Sequence, residues 1–209
     1  MKAKSEERRQ HIMMTADAVF REMGFDAASM SIIAARVGGS KATLYNYFST
    51  KEELFVEIML AEAQKQGKEA FAIFAKEGSL REKLDRFGPA YLKFVTSDEI
   101  INVRRMMIAQ AQRSDIGVQC YERGMKIGWG KVADAIATGI DLGEMQAGDP
   151  WIMAMHLKGL LEAGIADLCL LGVKIDKSTR RLNKAAALSL EVFFRAYGAG
   201  MKKPRPSGV

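Results

Sequence analysis

Residue types suited to contacting nucleic acid are concentrated between residues 29 and 48, where two short apolar patterns flank a pair of glycines. Ile33 and Val37, and then Leu44 and Phe48, are four residues apart, so each pair lies on one face of a short helix. The glycines permit a tight turn between the two helices. The other face of the second helix carries residues that read base edges or contact phosphates: Lys41, Ala42, Thr43, Tyr45, Asn46 and Tyr47. The pattern predicts a helix-turn-helix over about residues 29–48.

The distribution of charge supports a DNA-contacting surface in the same stretch. No acidic residue occurs from Ala27 to Lys51, whereas Arg36, Lys41 and Lys51 are basic. An acid-free surface suits a phosphate backbone. The net charge of +6 over the 209 residues is weaker evidence for a nucleic-acid partner than this stretch, because many proteins without such a partner are equally basic.

The elements that must position this surface are helices. Apolar residues recur at helical spacing along almost the whole chain and only four prolines occur, so the sequence predicts an all-α fold of about nine helices. The first helix is expected to end at Gly24, the second to begin after Ser29, and the fourth to follow Ser49 or Thr50. Later helices are predicted at residues 80–96 with a bend at Gly88-Pro89, 98–112, 117–140, 149–172, and 176 or 178 to 197.

These helices are expected to form two domains. A three-helix helix-turn-helix domain is predicted at residues 6–66 and a larger helical domain, suited to ligand binding and dimerisation, at 67–198. The basic end of the chain, residues 199–209, is expected to be disordered. Charged residues interrupt the most apolar stretch, so no membrane span is predicted. Two cysteines and no leader-like segment favour a cytoplasmic protein with inertly buried thiols over a secreted protein or an oxidant sensor.

The N-terminal residues resemble the DNA-binding domain of the tetracycline-repressor (TetR) family. Gly24-Phe25, Ile33-Ala34, the run from Ser40 to Phe48, and Lys51-Glu52-Glu53-Leu54 all stand in the family's register. The resemblance implies a cytoplasmic homodimer that binds palindromic or near-palindromic double-stranded operator DNA. It also implies that Ser29 and Lys51 lie at helix N-termini that touch phosphates.

By the same resemblance, Tyr47 contacts a phosphate and residues 40–46 form the recognition surface. The residues expected to contact DNA are Ser29, Ser31, Gly39, Ser40, Lys41, Ala42, Thr43, Tyr45, Asn46, Tyr47 and Lys51. Gly39 departs from the family, which usually has valine or a similar residue there. We expect the missing side chain to loosen the turn without removing a DNA contact.

The C-terminal part is similar to the AefR-like branch of the family at residues 105–113, 121–124 and 149–150. It differs at Gln110, where that branch often has glutamate, and near Asp115, where it often has proline. The effector of the branch is therefore not carried over to this chain. An adaptable apolar pocket is predicted from Tyr91, Met106, Met107, Gln110, Trp129, Met155 and His156. The alternative is plain core packing for most of them, with a hydrogen-bonded core histidine at His156.

The predicted helix at 149–172 and the last predicted helix each carry a narrow stripe of small residues that allows another helix to approach closely. These stripes predict a four-helix dimer interface. The residues expected in it are Ile152, Gly159, Ala163, Ala166, Ala186, Ser189 and Phe193. The alternative is ordinary core packing of the same stripes.

The predicted function is transcriptional regulation, as a repressor that a small-molecule effector releases from its operator. An activator, or a regulator controlled by a protein partner, would need the same docked recognition helix. A helical-bundle enzyme is a remote alternative, because the sequence has no di-iron, zinc-protease, phosphate-loop or nucleophile-elbow motif. We therefore expect no catalytic residue, metal or cofactor.

Overall fold

A computed structural model describes residues 2–200 of the chain. Over these residues the chain forms eleven α-helices and no β-strand, with a single isolated bridge between Met145 and Gly198. The helices are α1 Lys2–Ala27, α2 Met30–Val37, α3 Lys41–Tyr45, α4 Lys51–Phe71, α5 Leu80–Val95, α6 Asp98–Gln110, α7 Ile116–Cys120, α8 Lys126–Asp141, α9 Pro150–Glu162, α10 Ala166–Leu170 and α11 Thr179–Tyr197. A 3₁₀ turn, Ala72–Ala75, follows α4, and a π-helical turn, Tyr121–Met125, precedes α8. The all-α prediction is confirmed.

Local side-chain hydrogen bonds begin several of these helices. Ser79 caps α5 reciprocally with Glu82, because each side chain accepts a backbone N–H of the other residue. Asp149 caps α9 and Pro150 fills its first position, where the missing N–H costs nothing. Ser178 caps α11. The last two starts agree with the prediction from sequence.

The first helix breaks at Gly24, as predicted, because the backbone there is non-helical (φ 80°, ψ 163°), and one further turn reaches Ala27. Two other predicted helices have wrong bounds. The predicted helix at 117–140 is divided by the π-helical turn into α7 and α8. The predicted helix at 149–172 is divided at Gly164, whose φ of 67° is left-handed and cannot continue a right-handed helix. The two divisions explain why the structure has eleven helices where about nine were predicted.

The chain divides into two compact units. The first unit contains the N-terminal residues through Lys65 together with Asn102–Gly124, and the second contains Gln66–Ile101 together with the residues from Met125 onward. The first division falls at 65/66, next to the boundary predicted at 66/67, and residues 102–124, predicted in the larger domain, lie in the first unit. The predicted disorder of residues 199–209 falls, from Met201 on, outside the described residues.

Each unit has its own hydrophobic core. In the first unit, Phe20, Phe25 and Phe55 pack ring against ring, with centroid distances of 4.8 to 5.6 Å. Val103, Ile116 and Cys120 from the second segment complete that core, in which Ile33, Leu44 and Phe48 are also buried. In the second unit, helices α5, α8, α9 and α11 surround Phe87, Trp129 and Phe193. None of the helices in the described part of the chain is long and apolar enough to cross a membrane.

Candidate nucleic-acid interface

Helix α3 is held to the first unit by very few groups. Leu44, only 2% exposed, is its buried residue, and Phe48 follows it into the same core. Ser40 caps the helix by accepting the Thr43 N–H at 3.1 Å, and its hydroxyl lies 2.9 Å from the Thr43 hydroxyl. Helix α3 is therefore fixed from one side and leaves its other side to solvent.

The predicted DNA-contacting residues differ in exposure. Those that are exposed are Ser31, Ser40, Lys41, Ala42, Tyr45 and Asn46. Those that are half-buried are Ser29, Gly39, Thr43, Tyr47 and Lys51. Ser29 caps α2 by accepting the Ile32 N–H at 3.3 Å, and Tyr47 packs against the core. The exposed residues of α3 thus offer small, aromatic, amide and cationic groups on one accessible surface.

Lys51 begins α4, as the resemblance implied, but its side chain turns back into the protein. Its ammonium Nζ donates to the carbonyl oxygens of Phe25 at 2.7 Å and Ala28 at 3.0 Å, and lies 4.1 Å from the centre of the Phe25 ring. The end of α1 leaves carbonyls without helical partners, and a cation nearby satisfies them. The Lys51 ammonium is therefore bound within the first unit, whereas the sequence predicted that Lys51 contacts DNA.

The turn between α2 and α3 is built on two different glycines. Gly38 adopts the left-handed conformation (φ 70°) that ends α2. Gly39 has an ordinary φ, and its N–H donates to Ala34 O at 3.2 Å, which holds the turn. A Cβ atom on Gly39 would lie 2.8 Å from Nη2 of Arg8. The departure from the family's valine therefore leaves room for an arginine from α1.

Comparison with known proteins agrees with this geometry. Residues 12–58 match the model described as bacterial regulatory proteins, tetR family, and residues 82–199 match the model described as AefR-like transcriptional repressor, C-terminal domain. The chain belongs to the TetR family. It is a TetR-family transcriptional regulator, and such regulators bind operator DNA and form dimers.

Relatives in the TetR family resemble the chain over different lengths. The HTH-type transcriptional activator FasR of Mycolicibacterium smegmatis is 43% identical over 54 residues, which cover 26% of this chain and only a quarter, 25%, of FasR. The HTH-type transcriptional regulator YhgD of Bacillus subtilis is 26% identical over 180 residues, covering 83% of this chain and 90% of YhgD. A TetR-family regulator structure from Mesorhizobium loti is 28% identical, with a TM-score of 0.81, covering 93% of this chain and 98% of that chain.

The DNA-binding helices of this TetR-family chain are tied to residues 102–124 by ion pairs. Glu57 on α4 accepts from Arg9 on α1 at 2.6 Å and from Arg123. Burial alone would raise the pKa of Glu57, but hydrogen bonds and charge from Arg123 and Arg9 outweigh it, so the pKa lies below its ordinary value. One carboxylate thus joins three segments of the first unit.

The predicted effector residues do not come together in one unit. Met106, Met107 and Gln110 belong to the first unit, where both methionines pack against its core and Gln110 donates to Asp26 at 3.4 Å. The others lie in the second unit. His156 is exposed and contacts the Tyr197 hydroxyl, so it is neither a core histidine nor buried in a pocket.

Two predicted effector residues of the TetR-family chain do share one aromatic cluster. Tyr91 and Trp129 lie 5.1 Å apart between ring centroids, and Phe87 lies 5.3 Å from Tyr91. The Tyr91 hydroxyl donates to Glu162, which also pairs with Lys158 at 2.8 Å. A polar group thus adjoins a packed aromatic cluster inside the second unit.

Sequence reasoning missed a groove of about 410 Å³ on the second unit. Phe71 and Phe74 line it with Lys83 and Lys131, at the 3₁₀ turn where only a domain joint was predicted. The sequence feature that could have indicated this groove was the pair of phenylalanines, Phe71 and Phe74, in that joint.

Four of the predicted dimer residues fit an open face and three do not. Ile152, Gly159 and Ala163 are exposed and Ser189 is half-buried. Ala166, Ala186 and Phe193 do not fit the predicted dimer interface, because each is 0% exposed within one chain. The exposed apolar residues of α11 are instead Leu188 at 54% and Val192 at 50%. Helix α11 is apolar on two sides, and the sequence pattern did not separate them.

Proposed function

We propose that this chain is a dimeric repressor that places α3 in the major groove of each half of a palindromic operator and leaves it when a small molecule binds. The observation that carries the proposal is the exposure of Lys41, Ala42 and Tyr45 on α3 and of Asn46 at its end, within a stretch, residues 27–51, that has no acidic residue. Small residues let a helix approach base edges, and amide groups hydrogen-bond to them.

The dimer is proposed to form through the exposed faces of α9 and α11. Ile152 and Gly159 on α9 and Ala163 at its C-terminal end are exposed, as are Leu188 and Val192 on α11. Ser189 ties the two helices together, because its hydroxyl donates to Leu160 O at 2.8 Å. An exposed apolar face made by two packed helices is suited to a symmetric contact with its copy.

The helix-turn-helix domain is proposed at 6–66 and the helical domain at 67–198, and the effector is proposed to bind in the part of the helical domain that lies in the second unit. The aromatic cluster of Tyr91 and Trp129, with Glu162 beside it, supports an apolar ligand with one polar group. Such a ligand releases DNA only by binding the non-DNA state better, and it shifts the equilibrium by that difference in affinity.

DNA selection with matched variants tests the proposed docking. The wild-type protein is used to enrich duplexes from a randomised pool, and an inverted repeat is expected. Asn46→Ala is expected to change preference at one or two base pairs per half-site by about 1–3 kcal/mol. Tyr47→Phe, the matched control, is expected to weaken selected and scrambled duplexes equally. Equal weakening by Asn46→Ala would contradict the placement of α3 in the groove.

Sedimentation tests the proposed interface. The wild type is expected at twice the chain mass of 23.1 kDa. Val192→Glu is expected to give the single-chain mass, because an unpaired charge in an apolar interface costs several kcal/mol. Ala187→Glu, exposed on the polar side of the same helix, is expected to stay dimeric. If the Val192→Glu protein remained dimeric, the dimer would have to form through another surface.

Activation is the second candidate, favoured by the FasR match over the DNA-binding segment. A reporter gene behind the selected duplex separates the two, because a repressor lowers its expression and an activator raises it.

A further inference from the structure

Arg8 lies beside the turn that leads into the proposed recognition helix. Nη2 of Arg8 is 2.8 Å from where a Gly39 Cβ would be, so the guanidinium occupies space that a side chain at residue 39 would fill. Gly39 is followed directly by the exposed residues Ser40 and Lys41. The arginine therefore stands at the rim of the surface formed by α3.

Arg8 differs from three other cations around the helix-turn-helix, which are held by groups of the protein. Arg9 pairs with Glu57, Arg36 pairs with Glu22, and Lys51 is held by two carbonyl oxygens. Among the side chains of residues 5–200, none forms an ion pair or hydrogen bond with Arg8. The Arg8 guanidinium is therefore available to bind an anion of another molecule.

We propose that Arg8, seated over Gly39, is a phosphate-binding residue of the DNA interface. The proposal rests on the docking of α3 proposed above, because that docking brings the turn close to the DNA backbone. The DNA backbone borders the groove that a recognition helix enters, so groups beside the turn meet phosphates and not base edges. A guanidinium binds phosphate oxygens in a bidentate fashion.

The role of Gly39 follows from the same geometry. Its φ is ordinary, so alanine is compatible with its backbone, and the positive φ of the turn belongs to Gly38. The only close neighbour of an added Cβ is the far end of the flexible Arg8 side chain. Gly39→Ala therefore displaces the guanidinium while the turn itself stays folded.

Binding over a range of salt concentrations tests the proposal with the full-length protein. The probes are a duplex that the wild type enriches from a randomised pool and a scrambled duplex of equal length. Arg8→Gln is expected to lower affinity for both by the same factor, about tenfold, and to flatten the slope of log K against log salt by about 0.9 per half-site. Arg8→Lys keeps the charge and is expected to keep most of the slope.

A double-mutant cycle with Gly39→Ala provides the decisive comparison. Gly39→Ala is expected to weaken binding when Arg8 is present and to have no further effect in the Arg8→Gln protein, because both changes remove one contact. Arg9→Gln is the matched control, expected to lower the melting temperature through its lost Glu57 pair while leaving the salt slope unchanged.

Two outcomes would overturn the proposal while the wild type still binds its selected duplex. One is an unchanged salt slope in Arg8→Gln, and the other is additive losses from Arg8→Gln and Gly39→Ala. A wild type that enriches no duplex would instead contradict the proposed docking of α3.

Discussion

Replacing Lys51 with methionine is expected to weaken folding more than it weakens DNA binding. The change removes two charge-assisted hydrogen bonds, to Phe25 O and Ala28 O, and the cation–π contact with the Phe25 ring. A hydrogen bond to a charged group contributes about 1.5–3 kcal/mol, and an accessible cation–π contact about 0.5–1 kcal/mol. One half-buried ammonium makes all three contacts and water replaces part of them, so the expected total is about 2–4 kcal/mol.

Urea titration followed by circular dichroism measures this loss. Tryptophan fluorescence provides an internal control, because Trp129 and Trp151 both lie in the second unit. The transition of the first unit is expected to move to lower urea while the fluorescence transition stays in place.

Lys41→Met is the matched variant for DNA binding, because Lys41 is exposed at the start of α3. It is expected to leave stability within about 0.5 kcal/mol and to flatten the salt slope by about 0.9 per half-site. Lys51→Met is expected to leave the slope unchanged. The reversed pattern, with a stable Lys51→Met protein whose salt slope is flattened, would refute the structural role of this ammonium.

Three further outcomes are expected. Leu44→Ala should destabilise the first unit by about 2–5 kcal/mol through a cavity and weaken DNA binding only in proportion to the unfolded fraction, as a titration below its unfolding transition would reveal. The depressed pKa of Glu57 gives stability that is complete above its ordinary value of 4.5 and is lost as pH falls through the folded value, so acid titration should destabilise the wild type more than Glu57→Gln. Burial raises the pKa of Cys120 to about 11, so in a Cys169→Ser protein at about pH 8 it should react with a thiol reagent only after unfolding.

The sequence predicted well those features that depend on residue type and spacing close together in the chain. Leu44 and Phe48 placed the inner face of the short helix, and the exposed residues of α3 followed from it. The starts at Asp149 and Ser178 were also predictable, because a cap depends on side chains within a few residues of the helix.

Features that depend on distant contacts were not predictable. The apolar pattern runs through Gly164 without interruption, so the break after α9 and the burial of Ala166 were missed. On α11, Ala186 is buried and Leu188 is exposed, but both belong to apolar stripes, and only the packed helices decide which stripe faces inward. The ammonium of Lys51 was assigned outward because its carbonyl partners lie 23 and 26 residues earlier.

The discontinuous first unit limits how regulators of this kind can be recombined. Val103, Ile116 and Cys120 complete a core whose other members come from the N-terminal helices, and Arg123 completes the pairing of Glu57. A chimera that exchanges only the first 65 residues with those of a relative would combine parts of two cores that did not evolve together. Grafting a new operator preference onto this chain therefore requires either transplanting residues 102–124 together with the N-terminal helices, or confining the exchange to the exposed side of α3.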